Sequence, residues 1–180
     1  MRDPSRMVTY VHKCVIHFCA IWFGVFFQAA FLLIMPSTAL QMSMTPYVGF
    51  ADDACRSTWN LSSTTWAIYN HHGELIDLQG ICLGQTTNNI VEYSAVIELL
   101  SEAISLDIRE MVVNLNSQLV VLQLNGQYFV RNPHILTMYL CIRLLERNFD
   151  YITYHHIPEH MNTLTYALAN YMLDIHLCNM

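Results

Sequence analysis

From residue 45 onward the sequence alternates between segments patterned as β-strands and segments patterned as α-helices. Three short apolar stretches, separated by Ser, Thr, Asn, His and Gly, predict a three-stranded meander over residues 48–51, 64–69 and 75–83. Residues 88–106 then place Ser and Glu on one side and Val, Leu and Ala on the other at helical spacing, which predicts an amphipathic helix. This change of periodicity within one chain favours layers of sheet and helix.

The pattern continues to the end of the chain. A Val-rich stretch over residues 111–116 predicts a fourth strand, and a short helix pattern follows directly from Gln118. A longer helix is predicted from Pro133 to Arg147, a strand over residues 151–156 and a final helix over residues 163–176. The predicted order βββαβ(α)αβα indicates one α/β domain over residues 45–180, built around a five-stranded sheet.

The first 44 residues differ in character from the remainder. Residues 15–35 carry no formal charge over 21 positions, which is long enough for a helix that crosses a bilayer. Arg2, Arg6 and Lys13 precede this segment and would keep the N-terminus cytoplasmic. A signal peptide cleaved after Ala39 and an extension with no targeting role are the alternatives. The chain is therefore expected at a membrane if residues 15–35 insert, and otherwise in the cytoplasm or nucleus.

Charge and cysteine content narrow the classes of partner and cofactor. The formal net charge is −6, from 14 acidic residues against 8 Lys and Arg, whereas domains that hold nucleic acid electrostatically are usually basic on at least one face. Six cysteines are present without a CxxC pair, which indicates reduced, mostly buried thiols and no zinc site. Tight nucleic-acid binding driven by charge alone is thus disfavoured.

Two acidic features do not fit an ordinary core. Glu92 falls on the apolar side of its predicted helix, beside Val96 and Leu99. A capping box with Asn89 at the N-cap would explain it, because the acid three residues on can reach back to the cap amide. The alternative is a metal site that Glu92 shares with Asp52 and Asp53, which end the first strand pattern; such an Asp pair is otherwise typical of a turn.

Three blocks of the sequence, in this order and spacing, resemble type-1 ribonuclease H domains of plant Gypsy-class retrotransposon polyproteins: GQTTNNIVEYSAVIELLSEAISLDI, VVNLNSQLVVLQLNGQYFVRNP and YHHIPEHMNTLTYALANYML. The resemblance implies a ribonuclease H-like fold, with a mixed five-stranded sheet flanked by helices. It also implies hydrolysis of the RNA strand of an RNA–DNA hybrid with two Mg²⁺ ions held by four acids, and no small-molecule cofactor. RNA–DNA hybrid is thus the expected partner, and a membrane is a second one through residues 15–35.

The resemblance carries the four acid positions onto this chain. Asp52 and Glu92 match the first two acids and are expected to be catalytic metal ligands. Asn116 and Tyr166 stand where the family has aspartate. An amide brings no charge to Mg²⁺ and a tyrosine hydroxyl stays protonated at neutral pH, so impaired hydrolysis is expected.

The resemblance also suggests accessory residues. His156 lies ten residues before Tyr166, as the family histidine lies before the last acid, and would assist proton transfer or product release; the alternative is an ordinary histidine at a strand end. The expected contacts to the nucleic acid, across the minor groove of a hybrid, are Thr87, Asn88, Asn89, Ser117 and Gln118.

Three losses of family glycines accompany the two lost acids. Asp53 replaces the glycine after the first acid, Asp107 replaces one past the end of the long helix, and STWNLSST replaces a glycine-rich turn. Three hypotheses follow: a ribonuclease with impaired hydrolysis, a module that binds hybrid or double-stranded RNA without cleaving it, and a membrane-anchored remnant of a retroelement.

Overall fold

The computed structural model describes residues 45–178, apart from the side chains of Ser57 and Cys178. The predictions made for the segment 15–35 therefore lie outside the described residues. Within residues 45–178 there is no helix that combines the length and the apolar character needed to cross a bilayer.

The described chain forms the mixed sheet that the sequence predicted. The strands are β1 (Tyr47–Arg56), β2 (Leu61–Tyr69), β3 (Leu75–Cys82), β4 (Glu110–Leu115) and β5 (Tyr151–His156). The helices are α1 (Asn88–Ser105), α2 (Gln118–Leu124), α3 (Pro133–Leu145) and α4 (Thr163–Cys178). In the sheet order β3-β2-β1-β4-β5, β1 pairs antiparallel with β2 and parallel with β4. The predicted five-stranded sheet flanked by helices is thereby confirmed.

β1 is longer than predicted, and its pairing with β4 stops earlier than its pairing with β2. Its pairing with β4 stops at Ala51 opposite Leu115, whereas its pairing with β2 continues to Arg56. The expectation that Asp52 and Asp53 end the strand is therefore wrong, because the β1–β2 ladder extends past both. Beyond Ala51, however, the edge of β1 that faces β4 is unpaired.

Helices cover both faces of the sheet. α1 lies so close to β1 that a Cβ added at Gly49 would come within 2.9 Å of a Leu99 methyl group. α4 covers the opposite face, where a Cβ added at Gly80 would lie 3.1 Å from Met172. α3 packs against α1 in turn. Ser94 of α1 is buried, although it falls on the side that was predicted to be polar. Its hydroxyl donates to the Ile90 carbonyl (2.7 Å).

Side-chain hydrogen bonds attach α4 to β2. Thr65 Oγ1 donates to the carbonyl of Thr165 (2.9 Å), and Ser63 Oγ donates to the carbonyl of Ala169 (2.8 Å). Two residues of strand and four residues of helix both advance by about 6 Å, so the donors and acceptors stay in step. These buried hydroxyls are thus satisfied by the helix that covers them.

Asn162 fixes the beginning of α4 to the centre of the sheet. Its Nδ2 donates to the Ala51 carbonyl (3.0 Å), its Oδ1 accepts from the Thr165 hydroxyl, and its backbone carbonyl accepts from the Tyr166 amide. Only 2% of Asn162 is exposed. The first turn of α4 is therefore held beside Ala51, the residue that precedes Asp52.

Two residues other than glycine adopt a left-handed backbone conformation in turns. Asn60, in the turn between β1 and β2, has φ 52°, and Asp107, just past α1, has φ 56°. Asn and Asp tolerate this region better than other non-glycine residues do. The turns therefore keep the conformation that glycine would favour, at some cost in stability.

Replacing Asn162 with Ala is expected to lower the free energy of unfolding by about 2 to 3 kcal/mol, because two buried hydrogen bonds are lost and the Ala51 carbonyl loses its amide donor. Urea unfolding followed by circular dichroism measures the change. The control is Asn170→Ala, because among the described residues the Asn170 side-chain amide donates to the Tyr166 carbonyl of its own helix (3.0 Å), in an exposed contact. Equal effects of the two substitutions would show that the Asn162 contacts do not hold α4.

Candidate active site

A small pocket opens where β1 and β4 part. Asp52 and Asn116 are the first residues beyond the last β1–β4 pair, so they lie side by side at the point where these parallel strands stop pairing. The Asn116 Nδ2 donates to Asp52 Oδ1 over 2.8 Å. Asp53, Glu92 and Ser117 also line this pocket. The fold therefore brings together residues that lie far apart in the sequence.

Asp52 is almost completely buried, with 2% of its surface exposed. Its Oδ1 accepts from the Asp53 backbone amide (2.8 Å) as well as from Asn116, whereas its Oδ2 is buried and has no hydrogen-bond partner among residues 45–178. Burial raises the pKa of Asp52 to about 6, although both hydrogen bonds lower it, and the charges of Glu159 and Glu92 add to the increase. Ionised Asp52 thus has one oxygen available for a positive partner.

Glu92 projects from α1 toward the same pocket. The capping-box explanation is wrong, because the N-cap is Thr87 and Asn89 already lies inside α1, which leaves Glu92 too far along the helix to reach the cap. Burial raises the pKa of Glu92, while a hydrogen bond with Ser117 lowers it. The Oε2 atom of Glu92 is buried and has no partner.

Asp53 is a third carboxylate at this pocket. Burial raises its pKa to about 7, and the charges of Glu92 and Asp52 contribute further. The Cys55 thiol donates a long hydrogen bond of 3.9 Å to Asp53 Oδ2. The sequence pattern offered Asp53 as a possible partner of Glu92, but the resemblance assigned only Asp52 to the site, because the family has glycine at the next position. The sequence signal for Asp53 was an acidic residue at a position where the family has glycine.

The other predicted catalytic residues lie outside the lining of the pocket. His156 is exposed at the end of β5, where it stands opposite Leu115 in the β4–β5 register. Tyr166 lies in the first turn of α4 with 45% of its surface exposed. The structure thus brings Asp52, Glu92 and Asn116 to one pocket, where the side chains of Asp52 and Asn116 are directly hydrogen-bonded, and places His156 and Tyr166 outside its lining.

The predicted nucleic-acid contacts fall on the starts of two helices. Thr87, Asn88 and Asn89 are exposed at the beginning of α1. Ser117 is the N-cap of α2 and accepts from the Val120 amide (3.5 Å), and the adjacent Gln118 is exposed. Their role in binding stays a prediction.

The residues at the pocket fit one divalent cation better than two. The partnerless oxygens of Asp52 and Glu92 are the hard ligands that Mg²⁺ and related ions prefer. Asn116, however, directs an N–H group at Asp52 and so presents no oxygen there. Across residues 45–178 no three His, Cys, Asp or Glu side chains are already arranged to hold a metal ion. A complete two-ion site is therefore not formed by these residues.

Comparison with known proteins identifies relatives of this domain. The sequence profile of the reverse transcriptase-like family matches residues 50–172. Ribonuclease HI of Halobacterium salinarum is 30% identical over 125 residues, which cover 69% of this chain and 63% of the relative. A bifunctional protein of Mycobacterium tuberculosis is 36% identical over 92 residues, 51% of this chain, and the match spans only 25% of that relative's length.

Solved structures give the same result. RNase H1 from Halobacterium salinarum superposes with a TM-score of 0.69 at 28% identity, covering 72% of this chain and 98% of that one. LC11-RNase H1 in complex with an RNA/DNA hybrid superposes with a TM-score of 0.68 at 26% identity, covering 73% of this chain and 99% of that one. Because the family profile matches more than half of its residues, this chain belongs to the reverse transcriptase-like family and carries a ribonuclease H-like domain.

Proposed function

We propose that residues 45–180 form a domain that recognises RNA–DNA hybrids and hydrolyses the RNA strand poorly, because its metal site is incomplete. The observation that carries this proposal is the hydrogen bond from Asn116 to Asp52 just beyond the last β1–β4 pair. It puts an amide where the resemblance expects an acid, next to the first acid that is still present.

The choice of substrate is supported by the comparisons and by the surface beside the pocket. The structure of LC11-RNase H1, which has the same fold, contains an RNA/DNA hybrid. In this chain, polar side chains that can contact sugar and phosphate groups are exposed at the starts of α1 and α2, close in sequence to Glu92 and Asn116. The net charge of −6 predicts modest affinity.

Impaired hydrolysis follows from the ligands. When bound, divalent ions activate the attacking water and stabilise the leaving oxygen in this class of reaction. Asp52 and Glu92 would hold such an ion through their partnerless oxygens. Asn116 and Tyr166 add no negative charge, so neither balances the positive charge of a second ion, which would in turn hold the substrate phosphate.

Restoring the acids should restore activity. We expect the full 180-residue chain to cleave a labelled RNA–DNA hybrid in Mg²⁺ at close to the background rate. The double variant Asn116→Asp/Tyr166→Asp should cleave on the order of tenfold faster or more. This lower limit is the effect that supporting groups have at metal sites. Adding Asp52→Asn to the repaired chain should abolish the gain.

The matched control is Asn114→Asp with Tyr171→Asp, which makes the same chemical changes on β4 and α4 away from the two acid positions. Equal rates for the unmodified and repaired chains would refute the proposed defect. If the unmodified chain does not cleave hybrid but binds it in preference to duplex DNA, its function is that of a binding module. No preference at low salt would exclude this second function.

The three acids at the pocket should also make stability depend on pH. Burial raises the folded-state pKa of Asp52 to about 6 and that of Asp53 to about 7, from 3.8, so the folded chain binds these protons more tightly than the unfolded chain. Their stabilising effect is complete below the unfolded value and is lost as the pH rises through the folded values. Without a cation, the free energy of unfolding should therefore fall between roughly pH 4 and pH 8, by at most about 1.4 kcal/mol per pH unit for each proton.

Chemical unfolding in EDTA at several pH values measures this slope. Asp53→Asn should make it shallower by removing one titrating group, whereas Asp150→Asn, a change at an exposed acid outside the pocket, should leave it unchanged. An identical slope for the parent chain and Asp53→Asn would show that Asp53 does not titrate in this range.

We propose further that the domain derives from a plant Gypsy-class retrotransposon polyprotein. The three sequence blocks and the match to the reverse transcriptase-like family support this origin. Genomic DNA flanking the coding region should then carry remnants of the reverse transcriptase and integrase regions. Flanks that contain only unrelated host genes would argue against the proposal.

A further inference from the structure

We propose that Asp53 completes a site for one divalent cation together with Asp52 and Glu92, and that its carboxylate replaces the oxygen ligand that Asn116 does not supply. The inference rests on the proposed function only in taking the same pocket as the metal site. It assigns a ligand that the family pattern, with glycine at this position, does not contain.

The three carboxylates line one pocket, and within residues 45–178 no Lys, Arg or His side chain lines it with them. Asp53, Asp52 and Glu92 all line it, and the charges of Glu92 and Asp52 both act on Asp53. Asp52 is 98% buried, since only 2% of its surface is exposed, and its Oδ2 has no partner. Glu92 Oε2 is also buried without a partner. Two oxygens that have lost water and gained no donor are the independent sign that this pocket takes a cation.

The free edge of β1 explains how neighbouring residues on a strand can serve one site. β4 no longer pairs with β1 beyond Ala51, so the Asp53 amide is available to donate to Asp52 Oδ1 over 2.8 Å. That bond turns Asp52 Oδ1 toward the strand edge beside Asp53. The usual alternation of side chains between two faces therefore does not separate these carboxylates fully.

Asp53 must turn before all three acids can bind one ion. Its Oδ2 now accepts a thiol hydrogen bond from Cys55 at 3.9 Å, and the three acids are not yet in ligand geometry. A thiol is a weak donor, so a cation with hard oxygen preferences readily displaces it. The Asn116 N–H group on Asp52 Oδ1 opposes a second ion on that side.

Mn²⁺ binding to the full chain tests this site without any substrate. Titration followed by the electron paramagnetic resonance signal of free Mn²⁺ gives both the stoichiometry and the affinity. We expect one ion per chain and a loss of affinity on the order of tenfold or more in Asp53→Asn and in Asp53→Gly. Asp150→Asn is the control and should bind as the parent chain does. Cys55→Ala should bind at least as tightly, because it removes the competing contact with Asp53.

Circular dichroism spectra and unfolding curves establish that each variant is folded, and the glycine variant guards against a folding defect specific to asparagine. Unchanged affinity in folded Asp53→Asn and Asp53→Gly would overturn the assignment, as would the absence of Mn²⁺ binding by the parent chain. Two ions per chain would also overturn it. These outcomes are independent of hydrolysis: if the unmodified and repaired chains cleave equally well, the proposed function fails while the Mn²⁺ result still decides the role of Asp53.

Discussion

The parallel pairing of β1 with β4 determines where the chemistry of this domain is located. Two segments some sixty residues apart run side by side and stop pairing together at Ala51 and Leu115. Because parallel neighbours end at the same edge, the next residue of each strand enters the same space. The N-terminal part of α1 adds Glu92 from the covering layer. The pocket is thus a consequence of topology, whatever side chains occupy the strand ends.

The covering helix α4 is attached by polar contacts as well as by apolar packing. Thr65 and Ser63 donate to its carbonyl groups, and Asn162 joins its first turn to β1. Hydrogen bonds are directional, so they define how far the helix can slide along the sheet in a way that apolar contacts alone do not. Thr65 is opposite Asp52 in the β1–β2 register, and its side chain points to the face of the sheet that α4 covers. Tyr166, in the first turn of α4, therefore has a defined position on that same face.

Periodicity predicted the sheet, the helices and their order, because burial on one side of an element leaves a regular trace in the sequence. It missed the continuation of β1 to Arg56, since Asp52 and Asp53 are typical turn residues and only the pairing with β2 shows otherwise. The capping role expected for Asn89 failed because Asn89 already lies inside α1, whose N-cap is Thr87. The Asn116–Asp52 contact required both strands in place, so no local pattern could give its geometry.

The Asn116 amide has one more consequence, for the balance between stability and activity. It donates a hydrogen bond to the buried Asp52 carboxylate, where an aspartate would place a second negative charge, so the amide avoids a repulsion in the folded chain. A nuclease with all of its acids in place carries this repulsion as part of its activity and depends on metal ions to offset it. Under the proposed function, an amide at this position would therefore weaken hydrolysis and at the same time make the metal-free protein easier to fold.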